Sequence, residues 1–371
     1  MGRNFSEDSV LTKQRNGVKE KNTNEDSITE TNDVVEKSTT EYKMEIKWIN
    51  VLVAIYLHGC AFYSIFLPMK YWKTVAIGWI YSIISGFGTT VAAHRYFTHR
   101  TFKANKPLKI LLIIFQTMAA QEPILHWARD HRVHHKFTDT DADPYNSRRG
   151  FFFSHMGWLL VKKHPEVIRQ GKKIDMSDLR DDPMLKFQKR WYAILGFLGN
   201  IGVPILLGLW CGEDFKTLWY GNIYRYLIVL HCVWCVNSVA HIWGTKPYDK
   251  DISPTDSRFV GFVAIGEGWH NYHHVFPWDY KTAELPGYRW NLSTSVIDFF
   301  AWLGWATELK TVPDEIIRKR VLRTGDGSHP YSIEMQNNNN NNFDKLRDTE
   351  HFWGFGDQEM TTEDMKYVKV L

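Results

Sequence analysis

The sequence predicts an all-α fold, four transmembrane helices carrying a cytosolic helical cap, and three observations predict it. Apolar residues are segregated towards the middle of the 371-residue chain, four runs there have membrane-span length, and nine histidines recur at helical spacing beside them. Mean composition conceals this pattern. Hydrophobic residues are 44% and charged residues 23%, ordinary globular values, because polar ends dilute an apolar centre. Aromatics reach 15%, with 16 Trp, which suits rings at a bilayer interface. A net charge of +4 is too small to point to nucleic acid. Cys60, Cys211, Cys232 and Cys235 lie in or beside apolar runs, so they read as buried thiols of a reduced compartment. A secreted disulfide scaffold is excluded.

The elements follow in chain order. Residues 1–45 are rich in Asn, Glu, Lys, Ser and Thr, lack the apolar core of a signal peptide, and read as a disordered tail. A membrane domain is expected over 46–324, with spans at about 46–67, 72–92, 191–210 and 220–241. The third holds Gly196, Gly199, Gly202 and Pro204, which spans tolerate better than soluble helices do. A fifth run, 108–120, is too short to cross and is expected to lie in the interface or dip into it. The alternative, core helices of a soluble protein, would have to bury uncharged runs of this length. The connectors after spans one and three are short. The long one after span two carries Arg95, Arg100, Lys103, Lys106, Lys109, Arg148, Arg149, Lys162 and Lys163, and this basic bias puts it and both termini in the cytosol. Residues 325–371 are polar, include the asparagine run 337–342, and read as a solvated tail.

Nine of the 16 histidines form a pattern. His94 and His99 make H-x-x-x-x-H after span two. His131, His134 and His135 make H-x-x-H-H, and His270, His273 and His274 repeat it after span four, which His241 ends. At this histidine frequency one H-x-x-H-H arises by chance about 0.03 times per chain, so two are strong signal. Positions i, i+3 and i+4 share a helix face, so each motif aims three imidazoles one way. Imidazole suits Fe, Zn, Cu and Ni, and nine ligands are too many for one ion. The cap is therefore expected to hold a histidine-ligated dimetal site. Zinc needs fewer ligands, and iron with dioxygen is the biological tool for strong C–H bonds. His58, His126, His155, His164, His231, His329 and His351 lack such spacing and read as structural.

HRYFTH at 94–99, HRVHH at 131–135, NSVAH at 237–241 and HNYHH at 270–274 resemble the animal membrane acyl-CoA desaturases of the stearoyl-CoA desaturase type. So do the flanking strings WARDHRVHHKFTDTDADPYNSRRGFFFSHMGWLL and GEGWHNYHHVFPWDY. The resemblance covers about 47–325, and AELPGYRWNLST looks closest to insect members. It implies two irons held by histidine alone. One would take His94, His99, His131, His135 and His273, and the other His134, His241, His270 and His274, with Asn237 contacting it through water. It implies oxygen-dependent removal of two hydrogens from a saturated acyl-CoA, leaving a cis double bond. The two electrons would come from cytochrome b5 and its reductase, a separate donor since the haem-binding HPGG string is absent. Asn50, Arg129, Asp130, Lys162 and Lys163 would contact the CoA headgroup. Gln121, Trp127 and Trp234 would lie near a bend in an acyl tunnel in the endoplasmic reticulum membrane.

Regiochemistry is the open expectation. Action between carbons 9 and 10 of palmitoyl- or stearoyl-CoA is the simplest reading, and a Δ11-type or other regiospecific desaturase, or a lipid hydroxylase of the same histidine-box class, is the nearest rival. Vertebrate members have Thr where this chain has Val233, which removes a hydrogen bond to Gln121. Ser82 and Gly86, one helical turn apart on span two, are expected to close the tunnel. A metal transporter, the rival outside the enzymes, would line its spans with such residues, whereas these cluster at the cytosolic ends.

Overall fold

The structure, a computed structural model, describes residues 42–284, 290–333, 352–362 and 364–371. The tail expected at the N-terminus lies outside them up to residue 41, as does the asparagine run 337–342. Residues 43–371 form one compact unit.

The fold is helical, as expected. Helix α1 is Trp48–Ser64, and α2, Trp72–Phe87, runs on without a break as a π-helix, Gly88–Thr98. Helices α3, Lys106–Ala119, and α4, Ile124–Lys136, meet at 83°. Helix α5, Pro183–Phe197, joins α6, Val203–Trp210, through a π-helical turn. Helix α7, Phe215–Asn237, is followed by the short turn Val239–Ile242, and α8 is His270–Val275. Three of these stretches, Trp72–Thr98, Pro183–Trp210 and Phe215–Ile242, are long and apolar enough to cross a membrane. Helix α1, at 17 residues, is a shorter apolar helix than the expected span 46–67. Trp48, Trp72, Trp79 and Trp210 point outward from the spans, as rings facing lipid do.

Local chemistry starts the helices where they start. Asn105 caps α3 by accepting from Leu108 N at 3.0 Å, with Pro107 in the first turn. Asp182 accepts from Met184 N at 2.9 Å ahead of Pro183, and Asp214 from Thr217 N at 3.0 Å. The run 108–120, expected at the interface, is α3. It packs on the π-helix so closely that a Cβ on Gly88 would sit 2.1 Å from the Phe115 carbonyl oxygen. Val91, Phe97, Leu108, Leu112, Ile124, Val133 and Leu185 form the core that joins these helices.

Strands are two residues long. β1, Lys103–Ala104, pairs antiparallel with β2, Ala306–Thr307, and β3, Lys310–Thr311, with β4, Lys369–Val370. The second pair corrects the solvated C-terminal tail. Phe352, Trp353 and Met360 are buried beside Tyr272, Phe276 and Trp278, because a short apolar patch follows the polar stretch that dominated the average.

Candidate metal centre

The first two histidines owe their meeting to the π-helix. On an α-helix, residues five apart point about 140° from each other. Here the helix is wound with i→i+5 bonds, His99 N donates to His94 O at 3.1 Å, and the two rings lie 4.7 Å apart. Helix α4 presents His131, His134 and His135 on one face, α8 does the same with His270, His273 and His274, and the turn after α7 supplies His241. All nine are buried.

They fall into two groups. His94, His99, His131, His135 and His273 offer nitrogens within 4.8 Å of one another, and so do His134, His241, His270 and His274. The groups adjoin, with His135 and His274 stacked at 4.2 Å. Inside the first, Nε2 of His273 lies 2.9 Å from Nε2 of His94 and 3.0 Å from Nε2 of His135. Inside the second, Nε2 of His270 lies 3.0 Å from Nε2 of His241 and 3.1 Å from Nε2 of His274. One ring nitrogen carries one hydrogen or one lone pair, so it cannot satisfy two such neighbours by hydrogen bonding. Two ligand nitrogens about 2.1 Å from a shared metal, at right angles, stand about 3.0 Å apart. The residues therefore fit a metal in each group. Nε2 of His99, His131 and His134 is buried without a partner among the described residues, as a lone pair kept for a metal would be.

The far side of several rings is fixed by acceptors. His94 Nδ1 meets Glu267 at 2.9 Å, His134 Nδ1 meets Asp143 at 2.9 Å, and His241 Nδ1 meets Asp139 at 3.0 Å. Each holds its hydrogen on Nδ1 and turns the Nε2 lone pair inward. Arg95 braces Glu267 at 2.9 Å. Burial opposes ionisation of Glu267, yet Arg95 and His94 prevail and hold it below the usual carboxylate range. At Asp139 burial likewise loses to His241 and Ser253. Burial, then neighbouring imidazoles, push His270, His273 and His274 well below the ordinary histidine value, so they are neutral, as ligands must be. Sequence reasoning missed these carboxylates. Their signal lay in the D-T-D-A-D string after the second motif and in the Glu of G-E-G-W-H before the third.

A cavity of about 300 Å³ reaches His94, His131 and His270 from between α1, α4 and α7. Asn50, Gln121, Trp127, Trp234 and Asn237 line it, as does Val233. Trp127 stacks on His131 at 4.8 Å, Asn50 donates to Leu159 O at 2.6 Å, and Gln121 Nε2 is buried without a partner among the described residues. Ser82 and Gly86 do not reach this cavity. Ser82 Oγ donates to Gly78 O at 2.8 Å, and a Cβ on Gly86 would meet Ile265 Cδ1 at 2.9 Å, so that position packs against the Ile265 side chain. A second hollow, about 420 Å³, is flanked by Arg129, Lys163, Arg180 and Lys189, with buried Asp130 between Arg129, at 2.7 Å, and Lys163. Lys162 lies outside its lining and pairs with Glu45 at 2.6 Å. His58, His231 and His155 form an unexpected chain, 3.2 and 2.9 Å between rings, ending 2.8 Å from Ser238 Oγ.

Residues 70–294 match the family model described as fatty acid desaturase. The chain is 47% identical over 336 residues to an acyl-CoA Delta-9 desaturase of Acheta domesticus, covering 89% of this chain and 87% of that protein. It is 49% identical over 298 residues to an acyl-CoA Delta(11) desaturase of Trichoplusia ni, covering 80% and 85%. Over 296 residues it is 47% identical to stearoyl-CoA desaturase 4 of Mus musculus, covering 78% and 83%.

Proposed function

The chain belongs to the fatty acid desaturase family, and from that premise we propose that it places a cis double bond between carbons 9 and 10 of a saturated acyl-CoA. It is an acyl-CoA desaturase, an oxidoreductase with membrane-spanning helices. The finer reading has two irons, dioxygen, and two electrons from cytochrome b5, at the endoplasmic reticulum membrane with both termini cytosolic. The net reaction removes two hydrogens from the acyl chain and reduces dioxygen to two waters, consuming two electrons and two protons.

The observation that carries this reading is the pair of buried imidazole groups whose inward nitrogens stand 2.9–3.1 Å apart beside an internal cavity. His94, His99, His131, His135 and His273 would hold one iron. His134, His241, His270 and His274 would hold the other, with Asn237 reaching it through water. Bound iron supplies the oxidising power, with dioxygen, to attack an unactivated C–H bond. The chain's own residues do the rest. Glu267, Asp139 and Asp143 fix the tautomers. Trp127 and Trp234 give the acyl chain an apolar wall, Gln121 offers it a polar landmark, and the buried setting keeps water from the reacting carbons. The basic rim of Arg129 and Lys163, with Asp130 holding them in place, would receive the anionic CoA headgroup, helped by Asn50 and Lys162.

The double bond's position is the least constrained part, since relatives named for Delta-9 and Delta(11) are similarly close. Expression in a desaturase-deficient yeast, with products located by mass spectrometry, tests it. A Δ9 monoene of sixteen or eighteen carbons is expected. A Δ11 product would replace the positional assignment, and a hydroxylated product would overturn desaturation itself.

A further inference from the structure

Resting on the reading that iron occupies the first histidine group, we propose that the C-terminal segment, residues 352–362 and 364–371, is part of that centre, with Trp353 the positioning residue for His99. The Trp353 carbonyl accepts from His99 Nδ1, and the Phe355 amide donates to the His99 carbonyl at 3.1 Å. His99 is thus held at both ring and backbone by residues more than 250 positions away. With its hydrogen on Nδ1, His99 turns a bare Nε2 into the group, where no described residue satisfies it. His94, His134 and His241 receive this service from carboxylates near the histidine motifs. His99 receives it from the far end of the chain, through a neutral carbonyl.

The segment is seated firmly enough to do this. Trp353 is 2% exposed, and the Arg132 guanidinium carbon lies 3.8 Å above its ring. Arg132 also grips Asp178 with two contacts of 2.8 Å and donates to the carbonyls of Phe97 and Thr98, the residues leading into His99. Lys136, at the end of α4, pairs with Asp357 at 3.1 Å and Glu359 at 2.7 Å. Asp357 closes the turn by accepting from Trp353 N at 3.0 Å, and β4 completes the anchorage on β3. The approach needs glycine at 354. Its φ is +151°, and a Cβ there would lie 2.6 Å from the His99 carbonyl oxygen and 2.7 Å from His99 Cα.

Gly354→Ala therefore tests the idea with one methyl group. Gly327→Ala is its control, since Gly327 also has positive φ but nothing within 4 Å of an added Cβ. The full chain, each variant, and a chain ending at residue 351 are purified, loaded with ferrous iron, and measured for iron per chain and for melting temperature without iron. The unaltered chain and Gly327→Ala should bind iron alike. Gly354→Ala and the shortened chain should lose 10–100-fold in affinity at one of two sites, the usual cost of a lost orienting partner. The iron-free melting temperature of Gly354→Ala should fall below that of its control, because its methyl meets His99 backbone where that of Gly327→Ala meets nothing. The discriminating readout is that Gly354→Ala should cost no further iron in a His99→Ala background. Full iron binding by Gly354→Ala, or an equal added loss in the His99→Ala background, overturns the proposal while leaving the desaturase reading intact. If the shortened chain does not accumulate, Gly354→Ala decides alone. An unaltered chain that takes up no iron overturns the reading on which the proposal rests.

Discussion

His134, His241 and His273 come from three different helical segments, and each has an inward nitrogen in one of the two groups. Replacing any of the three by Ala should abolish desaturation in membranes that contain normal amounts of protein, whereas His164→Ala, at a helix cap, should keep it. Normal turnover by any of the first three would remove that histidine from the ligand set. Asn237→Ala should be milder, about 10–100-fold, as expected for a group acting through water. Glu267→Gln separates orientation from ligation. The amide keeps an acceptor for His94 but strips the charge facing Arg95, and one-sided loss of a buried ion pair costs roughly 3–5 kcal/mol. Thermal stability and iron content should both fall, and iron binding with wild-type affinity would show that the Arg95–Glu267 charge pair does not brace the acceptor of His94. The histidines were legible in the sequence because their spacing repeats. Glu267, Asp139 and Asp143 were not, because acceptors for Nδ1 lie wherever the loops fold back, at no fixed spacing.

At the scale of elements, the spans were legible because lipid demands long uncharged runs, and Trp72–Thr98, Pro183–Trp210 and Phe215–Ile242 answer that demand. Their ends were not legible. Pro183–Phe197 begins with eight residues of mixed polarity before the apolar run, since a helix capped by Asp182 can extend beyond the bilayer. The π-winding of 88–98 was also hidden, because no residue type marks it. What the sequence did carry there is Gly88, which lets α3 cross close to the π-helix. Gly88→Val should force that crossing apart. Overpacking costs about 1–3 kcal/mol, and backbone at 2.1 Å puts this site at the upper end. The variant should show lower expression and lower iron content together, because α3 leads directly into α4 and its three histidines. Gly59→Val, with open space around it, should do neither, and equal behaviour of the two variants would remove the packing argument. The C-terminal segment was misread for a related reason: six residues, F-W-G-F-G-D at 352–357, carry a tertiary anchor that a polar average over 325–371 erases.

For the whole molecule, the two histidine groups can form only if their contributing segments emerge on one side of the bilayer. His94 and His99 end the stretch that begins at Trp72, and His241 ends the one that begins at Phe215. α4 and α8 belong to the segments that follow each. Under the proposed topology an even number of crossings before each histidine segment would return the chain to the side of its N-terminus, and the basic connector 93–190 would face the cytosol. This places a demand on α1. At 17 residues it is about 25 Å long, short of the roughly 30 Å hydrocarbon core, so under the proposed topology it would cross only with help from Trp48 at one end and the turn after Ser64 at the other. If α1 lay in the interface instead, the count of crossings would be odd before 93–190, and the N-terminus and the basic segment would face opposite sides. Protease tags decide between the two. In sealed microsomes, tags at either terminus and one near Ser177 should be cleaved from outside, and a tag between Cys211 and Lys216 should be protected until detergent is added. An N-terminal tag protected while the Ser177 tag is cleaved would mean that α1 does not cross. The histidine groups would then still share one side, but the parity that puts the N-terminus in the cytosol would fail.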